Sequence, residues 1–243
     1  MEQLSSPIPT QRPLWQRKAL AWSVHLITAS GVVVGMLALF AAVELRWTTA
    51  FVWLGLAAVI DGVDGTLARR FNTKKYAPGV DGALLDNLID YFTYVIVPAF
   101  FVYQAQLVPS NLTVAAVTII GMTSAYQFSQ VDAKTDDHFF KGFPSYWNVL
   151  VFYLIVVDVA PMVGFITIAV LGIMVFVPIK YVYPSRTEVL QKPTLVLTGL
   201  WGLSVALILQ QFAEGTLQPW LVWLSLSYIV YYLALSLYLT FRK

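Results

Sequence analysis

Apolar residues run along this chain in long unbroken blocks, not in the alternation of a half-buried strand. Eight blocks can be drawn, at roughly 20–42, 47–68, 83–106, 111–131, 143–158, 161–181, 193–213 and 218–240. Most come close to the ~20 residues a helix needs to cross a ~30 Å hydrocarbon layer. The fifth is short, and only Asp158 and Pro161 divide it from the sixth. The pattern predicts an all-α, polytopic membrane protein with about eight transmembrane helices. No repeat, low-complexity tract or long linker breaks it, so residues 1–243 read as a single transmembrane domain. Residues 1–17 carry Pro7, Pro9, Pro13, Arg12 and Arg17 without a cleavage site and read as a cytosolic tail. Residues 14–22 fit either an interfacial amphipathic helix or an ordinary start to the first span.

Composition agrees with the pattern. Of 243 residues 58% are hydrophobic and 12% charged, where a soluble domain carries about 25% charged. The absence of cysteine excludes disulfides and thiolate metal ligands, and the net charge of +2 gives no reason to expect nucleic acid. Where the charge lies is more informative. With the N-terminus cytoplasmic and eight spans, 14 of the 15 basic residues fall in inner connections, leaving Arg46 outside. Short loops bearing Lys and Arg stay cytoplasmic, so both termini are expected inside. Fusing the fifth and sixth blocks would expel Lys180, Arg186 and Lys192.

Four acids break the apolar blocks. Asp61 and Asp64 lie in the second half of the second block, Asp86 and Asp90 in the first half of the third. An Asp at a helix centre costs about 2.5–3.5 kcal/mol on the insertion scale, so such acids are functional candidates. Spacings of three and four residues put each pair on one helix face. The hairpin between the two blocks then sets the pairs against each other near the cytoplasmic surface. Oxygen-only ligands of this kind suit a hard divalent cation such as Mg²⁺ or Mn²⁺, and a two-ion centre fits the ligand count. The acids alone also suit a proton or cation pathway. Gly65, Ala68 and Gly82 lie on or beside the acidic faces, and Arg69 follows one turn after Gly65. They would admit a phosphate-bearing ligand, although small residues also serve close helix packing.

The segment DGVDGTLARRFNTKKYAPGVDGALLDNLID resembles the signature of the CDP-alcohol phosphotransferase family. Asp61, Asp64, Gly65, Ala68, Arg69, Gly82, Asp86 and Asp90 fill all eight signature positions. The usual gap of eight residues between the Arg and the next Gly is twelve here. That gap, the Asp61-Gly62 and Asp81-Gly82 pairs, and the stretches FKGFPSYWN and VPIKYVYPSR are similar to the bacterial phosphatidylcholine synthase branch of the family. The resemblance implies the family fold and conversion of CDP-diacylglycerol and choline to phosphatidylcholine and CMP. It implies that Asp61, Asp64, Asp86 and Asp90 bind metal, Mn²⁺ or Mg²⁺ and two ions, with Asp90 also the catalytic base. Gly65, Ala68, Arg69 and Gly82 would accommodate the nucleotide and its phosphates. A bacterial inner-membrane location, a cytosolic active site and a homodimer are implied as well. Alternatives are another acceptor (serine, inositol or glycerol phosphate), CDP-choline as donor to diacylglycerol, or a cation transporter.

For a quaternary ammonium, aromatic faces are the natural receptor. Trp147, Tyr146 and Tyr126 are the candidates near the cytoplasmic mouth, with Trp147 the first choice, against an ordinary interfacial belt. His25 is expected to be a packed or hydrogen-bonded residue of the first span.

Overall fold

The computed structural model describes residues 12–242. The expectations for the tail up to residue 11 and for Lys243 lie outside them. Helix α1 (Leu14–Val43) is unbroken. Residues 14–22 therefore form the start of the first span, not a separate interfacial helix. α2 (Trp47–Phe71) returns antiparallel to it, and Asn72, left-handed at φ 50, ends α2. A single turn, α3 (Thr73–Tyr76), leads to α4 (Gly82–Tyr91), which continues through a widened π turn at Phe92–Ile96 into α5 (Val97–Gln104). α6 (Thr113–Ser129), α7 (Trp147–Val157), α8 (Pro161–Met174), α9 (Gln191–Glu214) and α10 (Pro219–Phe241) complete the helices. The π turn has a cause in the sequence. Pro98 has no N–H to give Tyr94, and its ring crowds that carbonyl. The helix relaxes by one residue, and the Val97 N–H bonds Phe92 instead.

Six helical stretches are long and apolar enough to cross a membrane: 14–43, 47–71, 82–104, 110–129, 191–214 and 219–241. This is a multi-pass membrane protein. The fifth and sixth predicted blocks form helices too, but short ones of 11 and 14 residues. Asp158, left-handed at φ 53, and Pro161 divide them. Their missing ends, at 143–146 and 175–181, are turns, irregular chain and the start of a strand that hydropathy had assigned to helix.

That chain is tied down by pairing. Strand β1 (Phe139–Lys141) runs antiparallel to β2 (Lys180–Val182), and Gly142 and Phe143 donate to the carbonyls of Ile179 and Met174. Ser236 and Thr240 on α10 accept from the backbone N–H groups of Val182 and Lys180 at 3.1 and 2.8 Å. Non-helical backbone at membrane depth survives only when protein groups satisfy it in this way. The ribbon also brackets the α7–α8 hairpin, so the hairpin enters and leaves on one side. Outside the apolar region, Asp137 pairs with Lys180 and Asp132 with Lys141, both at 2.5 Å. The Lys180 hydrogen bond holds the Asp137 carboxyl below the usual range. Its contribution is therefore complete at neutral pH and fades only as pH falls below the ordinary carboxylate value.

Gly142 makes the join between ribbon and hairpin. It lies at φ +77, and a Cβ there would stand 2.1 Å from the carbonyl oxygen of Val175. Backbone cannot yield as a side chain can. Gly142→Ala is expected to lower the thermal midpoint of the purified protein by on the order of 5–10 °C, overpacking costing about 1–3 kcal/mol before the strain at positive φ is added. An unchanged midpoint would contradict this role.

Candidate active site

The site is built where α2 and α4 face each other beside α1. Asp81 starts α4 by accepting from the N–H groups of Ala83 and Leu84 at 3.0 and 3.1 Å, a cap worth about 1 kcal/mol. This accounts for the acid before Gly82. Gly31 and Gly35 bring α1 close to α4 and the π turn, since a Cβ at Gly31 would meet Ile89 at 2.5 Å and one at Gly35 would meet Phe92 at 2.6 Å. Asp86 and Asp90 then face Asp61. One carboxylate oxygen from each of Asp61, Asp86 and Asp90 lies within 4.8 Å of the others. Tyr94, one turn after Asp90 in the π turn, donates its hydroxyl to Asp61 at 2.8 Å.

Asp64 is placed differently. It is buried and accepts the Thr28 hydroxyl of α1 at 2.8 Å, and it is not one of the mutually close trio. Among the described residues none of these four carboxylates has a Lys or Arg ion-pair partner. Three converging carboxylate oxygens, none ion-paired, form a donor set that fits a hard divalent cation.

Two cavities meet at this cluster. The first, about 400 Å³, is lined by Asp61, Asp86, Asp90, Lys134 and the rings of Tyr94, Phe140, Tyr146 and Tyr183. Phe140 and Tyr183 stack at 4.6 Å, and Phe140 meets Tyr146 edge-on at 6.3 Å. The second, about 610 Å³, is lined by His25, Thr28, Asp64, Gly65, Ala68, Arg69, Lys74, Gly82, Asp86 and Arg186. Asp86 and Ala83 belong to both walls. The four positions expected to admit a nucleotide, Gly65, Ala68, Arg69 and Gly82, thus come together on one cavity. Arg69 is braced by a hydrogen bond to Thr66 at 2.9 Å.

The aromatic expectations divide. Tyr146 lines the first cavity. Trp147 does not reach it, being fully buried with its Nε1 donating to Ser124 at 2.7 Å and its ring against Phe143 at 5.1 Å. Tyr126 lies outside the wall, half-exposed and against Phe176 at 4.9 Å. Sequence reasoning did not single out Tyr94, Phe140, Tyr183, Lys134 or Thr28. Tyr94 was within reach, four residues after Asp90 on one helix face. Phe140 and Tyr183 fall within the two stretches already noted for their resemblance, but only the ribbon brings them together.

Residues 23–179 match the CDP-alcohol phosphatidyltransferase family, an interval that contains all four acids and β1. The chain belongs to this family. Relatives among the CDP-alcohol phosphatidyltransferases include the phosphatidylcholine synthase of Mesorhizobium japonicum, 44% identical across 85% of this chain and 77% of that protein. The phosphatidylcholine synthase of Legionella pneumophila is 40% identical across 91% of this chain and 89% of its own length. That of Pseudomonas aeruginosa is 38% identical across 93% and 94%. These alignments extend well beyond the family interval.

In this CDP-alcohol phosphatidyltransferase, Thr28 orients a signature acid from another helix. Thr28→Val keeps the shape and removes the hydroxyl that fixes Asp64. Turnover is expected to fall roughly 10–100-fold, as for partners that orient ligand carboxylates, with the thermal midpoint little changed. Parental turnover in the valine variant would show that Asp64 needs no such support.

Proposed function

We propose that the protein transfers the phosphatidyl group of CDP-diacylglycerol to choline, releasing CMP. The observation that carries this reading is the pair of cavities sharing Asp86. A glycine-and-arginine cavity suits a nucleotide diphosphate, and an aromatic one suits a trimethylammonium group. The relatives named phosphatidylcholine synthase support the same choice. A cation transporter would have no use for the second cavity, and serine or inositol would have little use for an aromatic wall.

Asp61, Asp86 and Asp90 would hold divalent metal, Mn²⁺ or Mg²⁺ and two ions in this reading, with Asp64 completing the ligands. When bound, the metal would neutralise the charge that develops on the CMP leaving group and polarise the phosphorus next to the lipid. The remaining roles belong to side chains. Arg69 meets the phosphates, and Gly65, Ala68 and Gly82 let the nucleotide approach the helices. Tyr146, Tyr183 and Phe140 present ring faces to the ammonium. Asp90 takes the hydroxyl proton of choline as its oxygen bonds to phosphorus and the bond to CMP breaks. Tyr94 keeps Asp61 oriented. Residues 1–243 act as one transmembrane unit in the bacterial inner membrane, with termini and site cytosolic, a placement supported by the basic residues around the mouth. A homodimer belongs to this reading on the family resemblance.

The test is CMP release from CDP-diacylglycerol by the purified protein in vesicles, with Mn²⁺ or Mg²⁺ and a panel of alcohols. Choline should support release, and serine, inositol and glycerol phosphate should not. Equal release with serine would overturn the choline assignment. No release with any alcohol would overturn the enzyme reading.

A further inference from the structure

Two buried side-chain polar atoms have no hydrogen-bond partner among the described residues, His25 Nε2 and Ser145 Oγ. Of the two, His25 lies in the wall of the cavity that also carries Gly65, Arg69 and Gly82. Its residue is 6% exposed. An unpaired buried nitrogen is costly, and an apolar residue of similar size would fill this place without that cost.

The ring's surroundings show how it could serve. It stands over Gly82, where a Cβ would come within 3.0 Å of Cε1 and 3.6 Å of Nδ1. The signature glycine therefore makes room for this imidazole. Trp22 meets the ring edge-on at 6.2 Å on another side. A half-turn about the Cβ–Cγ bond keeps the ring's outline and exchanges Nε2 with Cε1, bringing Nε2 to the edge above Gly82. His25 also lies one helical turn before Thr28, which bonds Asp64, so one face of α1 furnishes both residues.

We infer that His25 is a nucleotide contact, its imidazole hydrogen-bonding the uncharged part of the nucleotide, base or ribose. The inference rests on reading the second cavity as the CDP-diacylglycerol site. The division of charge within that cavity favours it. Arg69, Lys74 and Arg186 lie in the same wall and their positive charge suits the phosphates, whereas an imidazole offers both a donor and an acceptor to neutral groups.

The test is calorimetric binding of CMP to the full-length protein in lipid nanodiscs with Mn²⁺, alongside the choline KM and the thermal midpoint. His25→Phe keeps a flat ring against Trp22 and Gly82 but has no nitrogen. Its dissociation constant for CMP should rise roughly tenfold, the range for one lost hydrogen bond, with the choline KM within twofold of the parent. His25→Gln, whose amide nitrogen can stand in for Nε2, should recover most of the affinity. Parental affinity in the Phe variant would overturn the inference. So would equal loss in the Phe and Gln variants accompanied by a lowered midpoint, which is the signature of packing. If the Phe variant fails to fold, Gln against Asn decides: tighter binding by Gln supports the contact, and parental affinity in both overturns it. Failure of the parent to bind CMP would instead overturn the reading of the cavity itself.

Discussion

Asp90→Asn is expected to reduce turnover by 10²–10⁴-fold, the usual contribution of a positioned general base. The substitution keeps the shape of the side chain and removes the negative charge that the proposed mechanism uses as metal ligand and proton acceptor. Asp90 lines the acid-and-aromatic cavity but not the glycine-and-arginine one. CMP should therefore still bind, within about tenfold of the parent. The measurement is initial rate of CMP release beside calorimetric CMP affinity. Residual turnover above a tenth of the parent would contradict the catalytic role.

Asp86→Ala should be broader in its effect, because Asp86 belongs to both cavity walls and to the trio of carboxylates. Loss of Mn²⁺ binding, of CMP affinity and of more than a hundredfold in turnover is expected together. The sign of the stability change is also set. Removing one of three carboxylates lessens their mutual repulsion, so the metal-free variant should melt no lower than the metal-free parent. Mn²⁺ should raise the midpoint of the parent, since a ligand bound only by the folded state stabilises it, and that increment should vanish in the variant. A variant that binds Mn²⁺ within twofold of the parent would remove Asp86 from the metal site.

What could be read from the sequence divides by how far apart the interacting residues lie. Hydropathy located the long helices to within a few residues, apart from the start of α1, which lies six residues earlier than drawn, because each span buries apolar side chains in lipid on its own account. It extended the fifth and sixth spans through 143–146 and 175–181, since a short apolar run has the same hydropathy as helix or as extended chain. Only pairing of Phe139 with Val182, far apart in the chain, makes the ribbon in which those ends terminate. The acids follow the same logic. The spacing of four fixed the face that Asp86 and Asp90 share, while the spacing of three put Asp61 and Asp64 on one face, of which only Asp61 joins the close trio. The separate placement of Asp64 depends on Thr28, 36 residues away on α1. Tyr146 and Trp147 are adjacent aromatics, and only the rotation at the start of α7 sends one to the cavity and the other to Ser124.

The short α7–α8 pair makes demands on the bilayer. α8 turns Met162, Val163, Ile166, Val170 and Ile173 outward, yet its 14 residues span only about 21 Å at ~1.5 Å per residue. Against a ~30 Å hydrocarbon layer, a helix this short is matched by thinning of the lipid along its face, at a fraction of a kcal/mol for each ångström of mismatch. The protein thus carries its own dimple. Short-chain lipids should gather beside α8, and membrane thickness becomes a variable that tunes stability without touching the chemistry.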